Sequence, residues 1–159
     1  MWRDIIQLSN NSIAVSKMGY IPANILVHLF SYAALLKLSL AKECGLNTSQ
    51  FLALLLLGNA NGLSIKELKE KLSIPGSSLT FTLDALEKRG LVKRHRSKED
   101  RRQWLLSLSA KGKRLYTQIL TQESKAVSPA LDNLSEDERT AFLRLAEEII
   151  NSGTVKYNR

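Results

Sequence analysis

One stretch, residues 63–108, restricts the possible folds of this 159-residue chain more than any other part. It begins with a short helical pattern at residues 64–72, in which Ser64 and Glu67 have the spacing of a capping box. Ile65, Leu68 and Leu72 recur at spacings of three and four and are predicted to form the apolar face of that helix. A turn and a second helical pattern follow at once, which predicts a helix-turn-helix.

The second helix is predicted to end at Arg89, just before a residue that suits a helix end. Pro75 fits the first turn because its missing N–H has no partner there. Leu79, Leu83 and Leu86 recur at the spacing of an inward face. Gly90 then adopts positive φ readily and is expected to stop the helix.

A hairpin with a basic tip is predicted next, with strands at residues 91–96 and 104–109. From Lys88 to Arg102 the chain has eight Lys or Arg and two acids, a net of +6, whereas the whole chain has a net charge of +8. A polyanion is the partner that such clustering favours, since each neutralised phosphate releases counterions. A helix of this kind fits a major groove, and a basic loop beside it can reach the backbone or minor groove.

The rest of the composition excludes several classes of protein. The longest apolar run, Phe51–Leu57, is too short to span a membrane, and the first residues do not resemble a signal peptide. One cysteine and two histidines offer no disulfide and no metal-ligand spacing. We therefore predict a cytoplasmic protein without a cofactor or a metal, and duplex DNA is favoured over a membrane surface as the partner of its positive charge.

Long helices are predicted on both sides of this stretch. Residues 22–43 have a wide apolar stripe that needs a partner helix. Residues 51–57 are apolar all round, which predicts a helix buried on every side. After Ser109 a further helix is expected to end or kink at Pro129, and a last one begins with a capping box at Ser135. Residues 1–19 either pack on a partner subunit or fray.

These elements, in this order, resemble the multiple-antibiotic-resistance-regulator (MarR) family of winged-helix transcription factors over about residues 46–115. The similarity is carried by three segments in the expected order and spacing. They are Leu46–Phe51, Leu86–Val92, and Asp100–Arg102 with Leu106–Ser109 and Lys111-Gly112. The resemblance implies a mainly α fold with a small β-hairpin, a winged helix-turn-helix with long flanking dimerisation helices.

The resemblance also implies that the chain has three segments with different roles. Residues 1–45 would supply the N-terminal segment and first dimerisation helix, residues 46–109 the DNA-binding lobe, and residues 110–159 the C-terminal dimerisation helices. Two such lobes in a homodimer would sit on a pseudo-palindromic operator, one recognition helix in each half-site.

Residue roles follow from position within the family pattern. Major-groove contacts are expected from Ser77, Ser78, Thr80 and Phe81. Many family members have arginine where Phe81 stands, and Phe81 is as readily expected to be partly buried. Arg102 matches a wing arginine that enters the minor groove, and Asp100 an aspartate that braces neighbouring basic groups. Phosphate contacts are expected from Arg94, Arg96, Lys98 and Arg101.

The family resemblance implies a regulator, most often a repressor, that responds to a small molecule such as a phenolic or aromatic carboxylate. Such a ligand must prefer one spacing of the two lobes over the other. Two alternatives stay open. Cys44 could be a redox switch if a nearby cation lowers its pKa, although an inert thiol is favoured. The fold could also serve as a protein–protein adaptor without an operator. An enzyme is disfavoured because no nucleophile–base, phosphate-loop or metal motif occurs.

Overall fold

The computed structural model describes residues 23–60, 62–97 and 102–152, and it divides into two compact units, residues 1–116 and 117–159. The first unit begins with helix α1 (Ala23–Glu43) and continues through α2 (Thr48–Gly58), strand β1 (Leu63–Ser64), α3 (Ile65–Leu72) and α4 (Gly76–Lys88). Strands β2 (Val92–Arg96) and β3 (Trp104–Leu108) follow. Helix α5 (Ala110–Leu131) starts in the first unit, and α6 (Glu136–Ser152) lies in the second.

The helix-turn-helix of the sequence prediction is confirmed as α3 and α4. Ser64 caps α3 by accepting from the Glu67 amide at 3.2 Å, and the Glu67 carboxylate accepts from the Ser64 amide at 2.7 Å. Ser73, in the left-handed region at φ 51°, ends α3, and Pro75 stands immediately before the first residue of α4. Gly90 has φ +68° at the end of α4, as a chain reversal there requires.

The sheet has three strands within the described residues, in the order β1-β3-β2, whereas the sequence predicted a two-stranded hairpin. Leu63 pairs with Leu106 and Val92 with Leu108, both antiparallel. The two residues of β1 were missed because so short a segment has no recognisable alternation. Its addition ties the start of α3 to the wing and gives the hairpin a third strand, without which it would be only marginally stable.

The core of the first unit lies between these helices and one face of the sheet. Its fully buried large side chains are Phe51, Leu54, Leu57, Leu68, Leu79, Leu83, Leu86 and Leu106. The Asn47 capping box of α2 is present, with Asn47 accepting from the Gln50 amide at 2.9 Å. The prediction that α2 is buried on every side is wrong at Leu52, which is 38% exposed.

The start of α5 is fastened to the end of α4. Ser109 donates its hydroxyl to the Gly90 carbonyl at 2.6 Å and accepts from the Gly112 amide at 3.0 Å, so it caps α5 while holding the α4–β2 turn. The helix continues past Pro129 and ends at Leu131, two residues after the position at which the sequence predicted an end or a kink.

In the second unit, the capping box at Ser135 opens α6, with Glu138 accepting from the Ser135 amide at 2.9 Å. Arg139 donates to the Leu131 carbonyl at 3.2 Å, which joins α6 to the end of α5 within this unit. The apolar side of α6 is partly exposed, including Phe142, Leu145 and Ile149. On α1, in the first unit, Val27, Leu29, Phe30, Tyr32, Leu35 and Leu38 are also exposed.

Candidate nucleic-acid interface

Helix α4 has one buried face and one exposed face. Leu79, Thr82, Leu83 and Leu86 are buried, as the spacing predicted for three of them. The four residues expected to contact bases all lie on the other face and are exposed. They are Ser77, Ser78, Thr80 and Phe81.

The sequence left two expectations open for Phe81, a contact with the major groove and partial burial in the protein. Its side chain is 76% exposed, so the expectation that it is partly buried is wrong. The hydroxyl of Thr80 donates to the Gly76 carbonyl at 3.1 Å, one helical turn back. The outward face of α4 therefore presents an unburied aromatic ring among small hydroxyl side chains.

A cleft of about 440 Å³ opens where this face meets the start of α2. Its lining residues are Asn47, Ser49, Ser77, Ser78, Phe81 and Thr82. Most of these side chains are short and polar. The cleft therefore presents hydroxyl and amide groups to solvent beside α4.

The basic side chains that follow α4 lie on β2 and at the start of β3. Lys93, Arg94 and Arg96 are exposed on β2, and Arg102 is exposed before β3. Lys98, Asp100 and Arg101, for which phosphate contacts and a bracing role were predicted, lie outside the described residues. Of the described basic residues, Arg94 borders α4 directly, since it contacts side chains of that helix.

Arg94 forms two ion pairs with α4, which the sequence prediction did not include. Its Nη2 lies 2.9 Å from Asp84 Oδ1, and its Nε lies 3.0 Å from Glu87 Oε1. The guanidinium is therefore shared between two carboxylates of α4, and a phosphate contact would have to compete with both. Nothing in the local sequence pattern identifies this pairing, since Arg94 and Asp84 are brought together only by the chain reversal at Gly90.

Arg96 stacks on an aromatic ring of the neighbouring strand. Its guanidinium carbon lies 4.1 Å from the centroid of the Trp104 ring, in the paired position across β2 and β3. The same guanidinium donates to the Arg102 carbonyl at 3.2 Å. Arg96 thus fixes the backbone at Arg102, the residue for which a minor-groove contact was predicted.

Cys44, the candidate redox residue, follows the end of α1 and is half-buried. Burial, together with the Glu43 carboxylate, raises the pKa of the Cys44 thiol, although the Arg89 guanidinium opposes this shift. Arg89 also donates to the carbonyls of Gly45 and Cys44 at 2.6 and 3.0 Å. The cation near Cys44 is therefore Arg89, which is 45 positions away in sequence, and the raised pKa opposes thiolate formation.

Within residues 23–60, 62–97 and 102–152, no group of three His, Cys, Asp or Glu side chains is arranged to hold a metal ion. In the same segments, no helix combines the length and apolarity needed to cross a bilayer.

A helix-turn-helix followed by a basic two-stranded wing defines a winged helix-turn-helix protein. Residues 46–104 match the family model described as the MarR family. This segment therefore matches the MarR family, and curated proteins that the chain is similar to are named as HTH-type transcriptional regulators.

The similar proteins agree with this assignment. The chain is 34% identical over 92 residues to an uncharacterised HTH-type transcriptional regulator, YfiV, of Bacillus subtilis, covering 58% of each chain. It is 29% identical over 107 residues to the HTH-type transcriptional repressor YetL of the same organism, covering 66% of this chain and 64% of YetL. The chain thus spans about six tenths of the length of these curated relatives.

A solved structure extends the likeness over most of the fold. Wild-type MarR of Escherichia coli in its apo form is 25% identical, with a TM-score of 0.64, over 82% of this chain and 97% of that one. The prediction of a mainly α, winged helix-turn-helix fold is confirmed by this match and by the elements described above, with a third strand added to the predicted hairpin.

Proposed function

We propose that this chain is a dimeric, sequence-specific double-stranded DNA-binding regulator of transcription, acting as a repressor in the cytoplasm. The observation that carries the proposal is the outward face of α4, which presents Ser77, Ser78, Thr80 and Phe81 beside basic β2. A helix of this length with one face packed and the other free fits the major groove. The name of YetL as a repressor supports the direction of regulation.

Contacts with the DNA backbone are assigned mainly to the wing. Arg102, held through its carbonyl by Arg96, is suited to the minor groove, where narrow A·T stretches attract guanidinium groups. Lys98 and Arg101 are proposed as phosphate contacts on their sequence position and charge alone. Arg94 is assigned a positioning role, because its ion pairs hold β2 against α4.

The homodimer is supported by exposed apolar side chains on helices outside the DNA-binding lobe. Phe30 and Leu35 on α1, and Leu143 and Leu145 on α6, are each about half exposed. Burying such side chains against a second copy is favourable by roughly 25 cal/mol for each Å² removed from water. The three-part division of the chain at residues 45/46 and 109/110 remains a prediction that fits this arrangement.

The proposal includes a small-molecule effector, such as a phenolic or aromatic carboxylate, because the chain resembles the MarR family. It would change operator affinity only by binding one spacing of the two lobes more tightly than the other. The redox alternative at Cys44 is weakened by the raised pKa of its thiol. A protein–protein adaptor without an operator would not account for the charge distribution, because residues 88–102 carry +6 of the net charge of +8.

Selection from a pool of random duplexes tests the proposal directly. The purified full chain should enrich an inverted repeat whose half-sites lie about one helical turn apart, roughly 10 base pairs. An inverted repeat would indicate both DNA binding and two-fold symmetry. If no sequence is enriched even at low ionic strength, the proposal is wrong and an adaptor becomes the better account.

A further inference from the structure

The N-terminal part of the outward face of α4, residues 76–84, lacks the side chains that usually discriminate between bases. Arg and Lys make bidentate contacts with guanine, and Asn and Gln make them with adenine. From Gly76 to Asp84 the helix contains none of these four residue types. In a helix-turn-helix the N-terminal residues of the second helix contact the base edges, so base discrimination by residues 76–84 depends on weaker hydroxyl contacts or on apolar contact.

The hydroxyl groups of this face carry little information about sequence. Serine and threonine hydroxyls both donate and accept, so they tolerate several base edges. Thr80 already donates its proton to the Gly76 carbonyl, which leaves it only as an acceptor. The acid on this face, Asp84, is held by Arg94 at 2.9 Å. Phe81 is the remaining large side chain.

In a major groove, the apolar group available to Phe81 is the C5-methyl group of a pyrimidine. At 76% Phe81 has the largest exposed fraction among the exposed large hydrophobic side chains of the described residues, and it borders the cleft beside Ser77 and Ser78. The floor of the major groove is polar except for the C5-methyl group of a pyrimidine. We propose that Phe81 recognises a pyrimidine C5-methyl group in each half-site, an inference that rests on the proposed binding of duplex DNA.

Thymine and 5-methylcytosine both present this methyl group at the same position of the groove. The recognition is therefore for the methyl group itself, and Phe81 contributes specificity rather than phosphate attraction. Loss of the contact should change the preferred sequence, while the dependence of binding on salt stays the same.

The experiment uses the best duplex from the random-pool selection. Each thymine is replaced singly by deoxyuridine, which removes only the methyl group, and affinity is measured by fluorescence anisotropy at fixed salt. At one position in each half-site the substitution should weaken binding about fourfold, equivalent to roughly 0.8 kcal/mol for a buried methyl group. Substitution in both half-sites should weaken it about fifteenfold if the sites are independent.

Two variants separate the Phe81 contact from other effects of the methyl group. Phe81→Ala should bind the thymine and deoxyuridine duplexes equally, and its exposed position means that the fold should be retained. Ser78→Ala is the comparison variant on the same face: its affinity for both duplexes should fall to the same extent, so that the fourfold difference between thymine and deoxyuridine is kept. Duplexes with cytosine or 5-methylcytosine at the sensitive position show which base can supply the methyl group. A fourfold gain in affinity on methylation of cytosine means that thymine and 5-methylcytosine are both recognised.

The possible failures are distinguishable. If a duplex is enriched and bound but no thymine is sensitive to deoxyuridine, the inference is wrong and the proposed function stands. The same conclusion follows if Phe81→Ala retains the full sensitivity, because another residue then contacts the methyl group. If no duplex is enriched, the proposed function and the inference both fail.

Discussion

Arg94→Ala tests whether this arginine positions the wing or contacts DNA phosphate. In the structure, its guanidinium pairs with Asp84 at 2.9 Å and with Glu87 at 3.0 Å. If these pairs are its role, removing the side chain should loosen β2 from α4. It should then lower the stability of the free protein as well as its affinity for DNA.

The magnitude follows from the exposure of the three groups. The Arg94 side chain is 34% exposed, that of Asp84 is 61% exposed and that of Glu87 is 29% exposed. Solvent screens such pairs, and exposed pairs contribute about 0.2–1 kcal/mol each. We expect Arg94→Ala to lower the free energy of unfolding by about 0.5–1.5 kcal/mol, with most of the loss from the less exposed Glu87 pair.

The assay is a salt titration of duplex binding, analysed as the slope of log affinity against log salt concentration. A phosphate contact contributes about 0.9 to this slope, so losing one from each subunit would reduce it by about 1.8. For Arg94→Ala we expect a slope close to that of the wild type. The double variant Asp84→Asn/Arg94→Ala keeps the net charge of the region constant and removes one of the two carboxylates that Arg94→Ala leaves unpaired.

The reasoning would be refuted by a slope that falls by nearly two units in both variants while the free energy of unfolding is unchanged. Arg94 would then be a phosphate contact, as its sequence position alone suggests. The two ion pairs would in that case be broken when DNA binds.

Two further predictions concern the elements that hold the interface together. In Gly112→Ala, the new Cβ collides with the backbone carbonyl oxygen of Leu91, so we expect a loss of about 1–3 kcal/mol in urea unfolding. Gly76→Ala, where the nearest atom is 4.0 Å away, should be neutral or stabilising, and an equal effect at both positions would contradict this account. Hydrogen bonds from Ser64 lower the pKa of the Glu67 carboxyl, so its contribution to stability is present above the ordinary glutamate pKa and is lost as pH falls through the lowered value. The stability advantage of wild type over Glu67→Gln should therefore shrink between about pH 6 and pH 3, and a constant difference would argue against the cap.

Much of the fold was predictable because its signals are local. Capping boxes at Asn47, Ser64 and Ser135 depend on residues three positions apart, and all three are present in the structure. The inward face of α4 follows from leucine spacing, and positive φ at Gly90 follows from glycine at a helix end. Local rules of this kind do not need information about the rest of the chain.

The parts that were missed depend on contacts between residues distant in sequence. Strand β1 is two residues long and is defined only by its pairing with β3. The contacts of Arg89 with the Cys44 and Gly45 carbonyls bridge 45 and 44 positions, and no periodic pattern indicates them. The expectation that Phe81 is partly buried came from its apolar side chain and not from the helical spacing, because a position two residues after the buried Leu79 lies roughly 200° around the helix.

The central claim is that the outward face of α4 and the wing together bind duplex DNA. The most direct test is the salt dependence of binding to the selected duplex, compared between the wild type and Arg102→Ala. We predict a slope several units negative for the wild type, reduced by about 0.9 for each lost phosphate or groove contact in the variant, with an affinity loss of about 1–3 kcal/mol. Binding that is insensitive to salt, or an Arg102→Ala variant identical to the wild type in slope and affinity, would contradict the account.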